Sequence, residues 1–328
     1  MESKTEQVMF IAEFCQNHNG DFETLKRMIE AAAANGATHA KIQTIFADEI
    51  AYRPQFEQGL VNGDVTLSVK RPYGSEYDRL KRLELSYDQA RQFVSLCHQA
   101  GLEPMTTCFT RAQVVRLSEI GFRAIKVASY DCASFPMLRE LKTRFTRIVV
   151  STGATYDDEI RHAADILRGA DFAFLHCVTL YPTPLEQAHL ARMRWLRELA
   201  PQVGYSDHSL VARDGVVASK IAIHLGAEII ERHFTILPAA ETRDGHVSIT
   251  PEMLSDLAGF ARLDDQAQVK ALDAARPDWR SAIGNSNRKL SDLELLNRDY
   301  YRGRFASRRP ESNEGRRMVY NWEDVPLS

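Results

Sequence analysis

"QVGYSDHSLVARDGVVASKIAIHLGAEIIERHF", residues 202–234, decides the fold. It opens on a short apolar run, 202–206, that leads into Asp207 and His208. A longer amphipathic segment near 213–225 follows, and a second apolar run, 227–234, carries His233 near its end. Strand, helix, strand is the unit that builds a parallel sheet. The cluster Ser206–Asp207–His208 suggests a hydrolytic triad only on paper. Members of a triad converge through space, whereas three consecutive residues at a strand end diverge. No G-x-S-x-G elbow precedes them either. Alternation places Asp207 on the opposite face from Ser206 and His208, in a structural role.

The same unit recurs upstream. Apolar runs at 8–14, 39–44, 102–109, 124–129, 147–152 and 172–178 read as six further strands. Helical patterns follow at 21–36, 85–101 and near 111–120, 134–143, 156–168 and 187–199, with another near 251–263 after the last strand. Asp21 and Gly36 suit the ends of the first helix, and Ser86 with Gln89 fits a capping box at the second. The polar stretch 45–84 has little periodicity and reads as an elaborated loop. Eight near-continuous apolar strands alternating with helices predict a closed (β/α)8 barrel over residues 1–263. An open doubly wound sheet is the alternative, and the first strand lacks the G-x-G-x-x-G that would favour it. Residues 264–328 break the rhythm and read as an extension with one helix at 290–300 and an arginine-rich polar end.

Bulk composition narrows the function. In 328 residues, 44% hydrophobic and 26% charged, a net charge of −3 gives no reason to expect nucleic acid. No apolar run reaches membrane-spanning length, no secretory leader is expected, and the five scattered cysteines form no C-x-x-C pair. The expectation is a cytoplasmic protein with reduced thiols.

In such barrels chemistry sits where strands end and βα loops begin. Glu13, Lys41, Gln43, Thr107, Lys126, Ser129, Asp131, Ser151, Thr179, Ser206, His208 and His233 all fall there. A lone Ser or Thr after a strand is more often a helix cap than a ligand contact. Lys41 and Lys126 lie inside strands, where an unpaired charge is costly, so each wants an anion: a phosphate-bearing substrate, or an internal partner such as Glu13 or Asp131. His208 and His233 end adjacent strands and can share one divalent ion.

Several motifs carry a resemblance: "IAEFCQNHNGDFETLKRMIEAAAANGATHAKIQT", "IKVAS", "STGATYDDEI", "LHCVTLYPTPLEQAHL", "VGYSDHS" and "GAEIIERHFT". In order, across about residues 8–263, they resemble the sialic acid synthase family, with its N-acetylneuraminate, legionaminate and pseudaminate branches. The resemblance implies a barrel that condenses phosphoenolpyruvate with a sugar aldehyde, usually with Mn2+ (Mg2+ or Co2+ in its place), and works as a homodimer. It assigns His208 and His233 to the metal, and Lys41, Lys126, Ser129, Ser151 and Ser206, with Thr107, to phosphoenolpyruvate. Gln43, Thr179, Tyr181 and Asp244 go to the sugar side, and Glu13 or Asp131 to activation of water. The chain departs from the family at Asp131, where a glutamate is usual, at "TTCFT" in place of "STPFD", and at Thr179. The family's C-terminal antifreeze-like domain, which presents an arginine to the acceptor, finds no counterpart before residue 328; Arg302, Arg304 or Arg308 is expected to replace that arginine. A pyruvate aldolase or lyase, and a non-catalytic sugar-binding barrel, are the competing readings.

Overall fold

The computed structural model describes residues 8–309 and 318–327; part of the arginine-rich end, 310–317, lies outside the described residues. The barrel strands are β1 (Met9–Cys15), β2 (His39–Gln43), β3 (Glu103–Thr107), β4 (Ala124–Val127), β5 (Arg147–Ser151), β6 (Phe172–Cys177), β7 (Gln202–Asp207) and β8 (Ile229–His233). All pair in parallel with their sequence neighbours, and β8 returns to β1 to close the barrel. The expected (β/α)8 architecture is what forms.

Period-two alternation divides each strand between two cores. Outward residues such as Ala12, Phe14, Ile125, Val150, Phe174 and Ile230 join one large cluster with the surrounding helices. Inward, Ile11, Met105, Ala124, Val149, Ala173, Leu175 and Ile229 fill the barrel with an apolar plug. Two residues further along every strand the inward layer changes character, and there the chemistry begins. At Gly204 of β7 a Cβ would lie 2.1 Å from the Ile229 carbonyl oxygen, so β8 can approach only a glycine there.

Four parts of the chain differ from the expectation. Residues 45–84 are not a bare loop: they form an antiparallel pair, Leu60–Asn62 with Val65–Ser68, and a helix, Tyr73–Lys81. That helix buries only Leu80, so no apolar stripe announces it. The helix expected over 187–199 shrinks to Arg192–Leu196, because Leu190 and Ala191 donate to the carbonyls of Ala282 and Ile283 instead of a helical ladder. The helix near 213–225 is two pieces, Val211–Asp214 and Val217–His224, interrupted at Gly215 with φ +53°. The extension holds a further helix, Asp265–Ala275, besides the expected one at Asp292–Tyr301. Leu272, Trp279 and Ala282 enter the main core, so this stretch packs on the barrel.

After Tyr301 the chain crosses the barrel mouth. Ile50 and Phe305 form an antiparallel bridge, Ala51 N donates to the Arg304 carbonyl, and Ala306 N donates to that of Glu49. Asn321, further on, donates to Asp131 Oδ1 at 2.9 Å and to the Phe109 carbonyl at 2.8 Å. Among the described residues no helix is long and apolar enough to cross a membrane.

Candidate active site

The layer above the plug receives one inward side chain from each strand: Glu13, Lys41, Thr107 and Lys126 from β1 to β4, then Ser151, Cys177, Ser206 and Glu231 from β5 to β8. All eight line one cavity, and all eight are buried. Lys41 Nζ donates to Thr107 Oγ1 at 2.9 Å, touches the Glu13 carboxylate and lies 3.2 Å from Glu231 Oε1. Lys126 Nζ donates to Ser151 Oγ at 2.6 Å and to the Val127 carbonyl at 3.0 Å, with Glu231 Oε2 3.6 Å away.

Glu231 therefore stands between the two lysines. Burial pushes its carboxyl up, but Lys126 and Lys41 more than reverse this and hold it down at about 2. Burial pushes the Lys41 ammonium down to about 8, with Lys126 adding to the effect and Glu231 pulling the other way. Of the internal partners expected for the lysines, Glu13 is present and Asp131 is not; Glu231 takes the second place. Sequence reasoning missed Glu231, although its spacing from Ile229 and His233 puts all three on one face.

Asp131 lines the cavity on another side, its Oδ1 accepting from Ser134 Oγ at 2.8 Å and from Asn321. Burial raises its carboxyl to about 6. Ser129 also lines the cavity, and its Oγ accepts from Gly153 N at 3.2 Å. Gln43 and Tyr181 complete the expected residues on the wall. Thr179 does not reach it: its carbonyl accepts from Asn297, its hydroxyl is buried without a partner, and its methyl lies against Gly153. Asp207 faces the helices, paired with Arg232 at 2.5 Å and accepting from Ser219 Oγ at 2.6 Å.

His208 and His233 stand with ring centroids 5.4 Å apart. Burial pushes both imidazoles down, with the neighbouring His233 adding to the effect on His208, so both are neutral near pH 7. Cys177 Sγ lies 3.7 Å from His208 Nδ1, which leaves Nε2 for a ligand, and His233 Nδ1 is buried with no partner. Asp244 is outside the lining but adjoins His233: ligand atoms of Cys15, His233 and Asp244 lie within 4.8 Å of one another. A buried orphan nitrogen among neutral donors and a carboxylate fits a divalent cation.

The mouth is aromatic. Tyr130 stacks on Tyr301 at 4.9 Å, Phe109 meets Phe305 at 5.0 Å, and Tyr181 covers His208 at 4.2 Å. Of the three tail arginines, Arg304 lines the cavity, paired with Glu76, with its Nε buried and unpartnered. Arg302 turns to Glu159 and Arg308 to Asp48.

A model of the NeuB family matches residues 28–270. N,N'-diacetyllegionaminic acid synthase of Legionella pneumophila is 29% identical over 307 residues, 91% of this chain and 80% of that protein. N-acetylneuraminate-9-phosphate synthase of Mus musculus is 31% identical over 262 residues, 78% and 70% of the two chains. Among solved structures, N-acetylneuraminic acid (sialic acid) synthetase from Leptospira borgpetersenii superposes with a TM-score of 0.66 at 24% identity, covering 89% of this chain and 90% of that one, a likeness of fold.

Proposed function

The chain belongs to the NeuB family, the family of the sialic acid synthases, and from that premise we propose that it joins phosphoenolpyruvate to a sugar aldehyde. The acceptor is an N-acyl-hexosamine or related aldose, and the products are a 2-keto-3-deoxy sugar acid of the nonulosonic type and phosphate. The observation that carries this reading is the convergence of two buried lysines and a neutral histidine pair on one cavity.

Lys41 and Lys126, with Thr107, Ser129, Ser151 and Ser206, hold the phosphate and carboxylate of phosphoenolpyruvate so that its C3 faces the aldehyde carbon. Glu13 and Glu231 hold the lysines in place while the anion is away. A divalent ion on His208 and His233, Mn2+ by resemblance and Mg2+ or Co2+ as substitutes, would supply Lewis-acid polarisation at the aldehyde oxygen. C3 forms the new bond, the aldehyde oxygen gains a proton to become a hydroxyl, and water adds at C2. The tetrahedral intermediate then expels phosphate by C–O cleavage. Asp131, raised to about 6, is suited to take the proton of that water near neutral pH. Glu13, the other candidate, is already engaged by Lys41.

Gln43, Tyr181 and the aromatic mouth take the acceptor, and Asp244 supports the metal side. Arg304, on the cavity wall, presents its guanidinium to the acceptor from within the same subunit. Arg304→Ala should raise the acceptor KM by at least ~10-fold, the scale of one lost charge-assisted contact, with the KM for phosphoenolpyruvate unmoved; an unchanged acceptor KM removes that role. The working unit is proposed as a cytoplasmic homodimer, which sedimentation equilibrium checks.

The deciding assay is phosphate release from phosphoenolpyruvate against a panel of amino- and deoxy-aldoses with Mn2+ or Co2+. Turnover that His208→Ala abolishes, with the circular dichroism of the fold retained, supports the synthase. No turnover with any aldose favours a binding barrel, and borohydride trapping of pyruvate on a lysine favours a lyase.

A further inference from the structure

At the end of β1 the backbone of Cys15 sits at φ +47°, in the left-handed region that residues other than glycine seldom occupy. The β1–β2 register slips between Glu13 and Cys15, and Cys15 N is drawn onto Glu13 Oε1 at 2.5 Å. A bulge of this kind re-aims a side chain, and such strain is held only where surrounding structure enforces it. Its effect is to bury the thiol beside His233, with Sγ 3.0 Å from Asp244 Oδ2. The ligand atoms of Cys15, His233 and Asp244 then lie within 4.8 Å of one another, and His233 Nδ1 is buried with no hydrogen-bond partner. Nothing in the handling of phosphoenolpyruvate or sugar uses this thiol.

We propose that Cys15 is a metal ligand: Cys15 Sγ, His233 and Asp244, joined by His208, whose ring centroid lies 5.4 Å from that of His233, form one donor set for a single divalent ion. The inference rests on the synthase reading for what the ion does, but the donor set stands on its own geometry. Its chemistry also selects the ion. Thiolate with imidazole suits borderline-soft cations such as Co2+, Zn2+ and Fe2+, whereas Mg2+ prefers oxygen throughout. On binding, the thiol gives up its proton to solvent and its sulfur lone pair to the ion, with no change of oxidation state.

The test uses the full-length protein, stripped by chelator and titrated with Co2+ alone. A sulfur-to-cobalt charge-transfer band should grow in the near ultraviolet and saturate at one equivalent. Cys15→Ser should abolish the band and weaken Co2+ binding by at least ~10-fold, the lower end of the cost for losing even an outer partner of a metal ligand. Cys177→Ser, which removes the other nearby thiol, should keep the band. X-ray absorption on the Co2+-loaded natural sequence gives a readout independent of any variant: a sulfur neighbour at ~2.3 Å, the usual thiolate distance. Absence of the band and of the sulfur neighbour, or a band that survives in Cys15→Ser, overturns the assignment. Phosphate release without the band sinks Cys15 as a ligand and leaves the synthase standing; the band without phosphate release does the opposite.

Discussion

At the scale of single residues, the site turns on Glu231 and Asp207, which lie on opposite faces of neighbouring strands and do opposite work. Glu231 bridges the two lysines. Glu231→Gln should lower kcat/KM for phosphoenolpyruvate by ~10–100-fold, the equivalent of one charge-assisted contact of ~1.5–3 kcal/mol, and steady-state kinetics reads it directly. Asp207 is tied to Arg232, and both are fully buried. Arg232→Met should cost ~3–5 kcal/mol in urea unfolding, because it strands a buried carboxylate. Asp131, with its carboxyl raised to about 6, adds a pH signature. If it is the base, kcat falls as pH drops below about 6, and Asp131→Asn removes that acid limb. The two histidines and two lysines were legible because charge and imidazole stand out inside apolar runs. Glu231 was not, since one acid among "IIERHF" reads as an outward residue until Ile229 is known to face the plug.

At the scale of elements, the strands were legible and the helices less so. Each strand is buried on both faces, which writes an apolar run into the sequence. The helices Tyr73–Lys81 and Asp265–Ala275 bury one and two side chains respectively, too few to set up a periodicity. Arg192–Leu196 fell short for another reason: its approach spends backbone donors on residues 282–283, a tertiary choice no local pattern carries. The same close packing makes the β7–β8 seam intolerant. Gly204→Ala drives a methyl group into the Ile229 carbonyl, and a loss of ~1–3 kcal/mol is expected by denaturant midpoint, the usual cost of overpacking.

At the scale of the whole molecule, burial of titratable groups sets the acid limit. Burial holds the imidazoles of His18 and His39 down at about 4, and that of His176 at about 3. Each folded value lies below the unfolded 6.5, so each contributes stability above pH 6.5 that is lost as pH falls toward 4. Glu49, raised by burial to about 7, and Asp131 work the other way, taking up protons on folding. Near pH 5 the three imidazoles outweigh the two carboxyls by about one proton, or ~1.4 kcal/mol per pH unit. A melting temperature lower at pH 5 than at pH 7 is the expected outcome, and the reverse order would show the carboxyls dominate. The crossing of the tail over the barrel mouth has a further consequence, in time. The last barrel helix ends at Phe260, but Arg304 and Phe305 reach the cavity wall about 45 residues later, and Asn321 reaches Asp131 about 60 residues later. At ~5–20 residues per second, synthesis reaches Asn321 ~3–12 s after Phe260. Because Leu272, Trp279 and Ala282 belong to the main core and the mouth is finished later still, a chain released between Ala282 and Arg304 has its main-core residues complete but lacks the wall that closes the cavity.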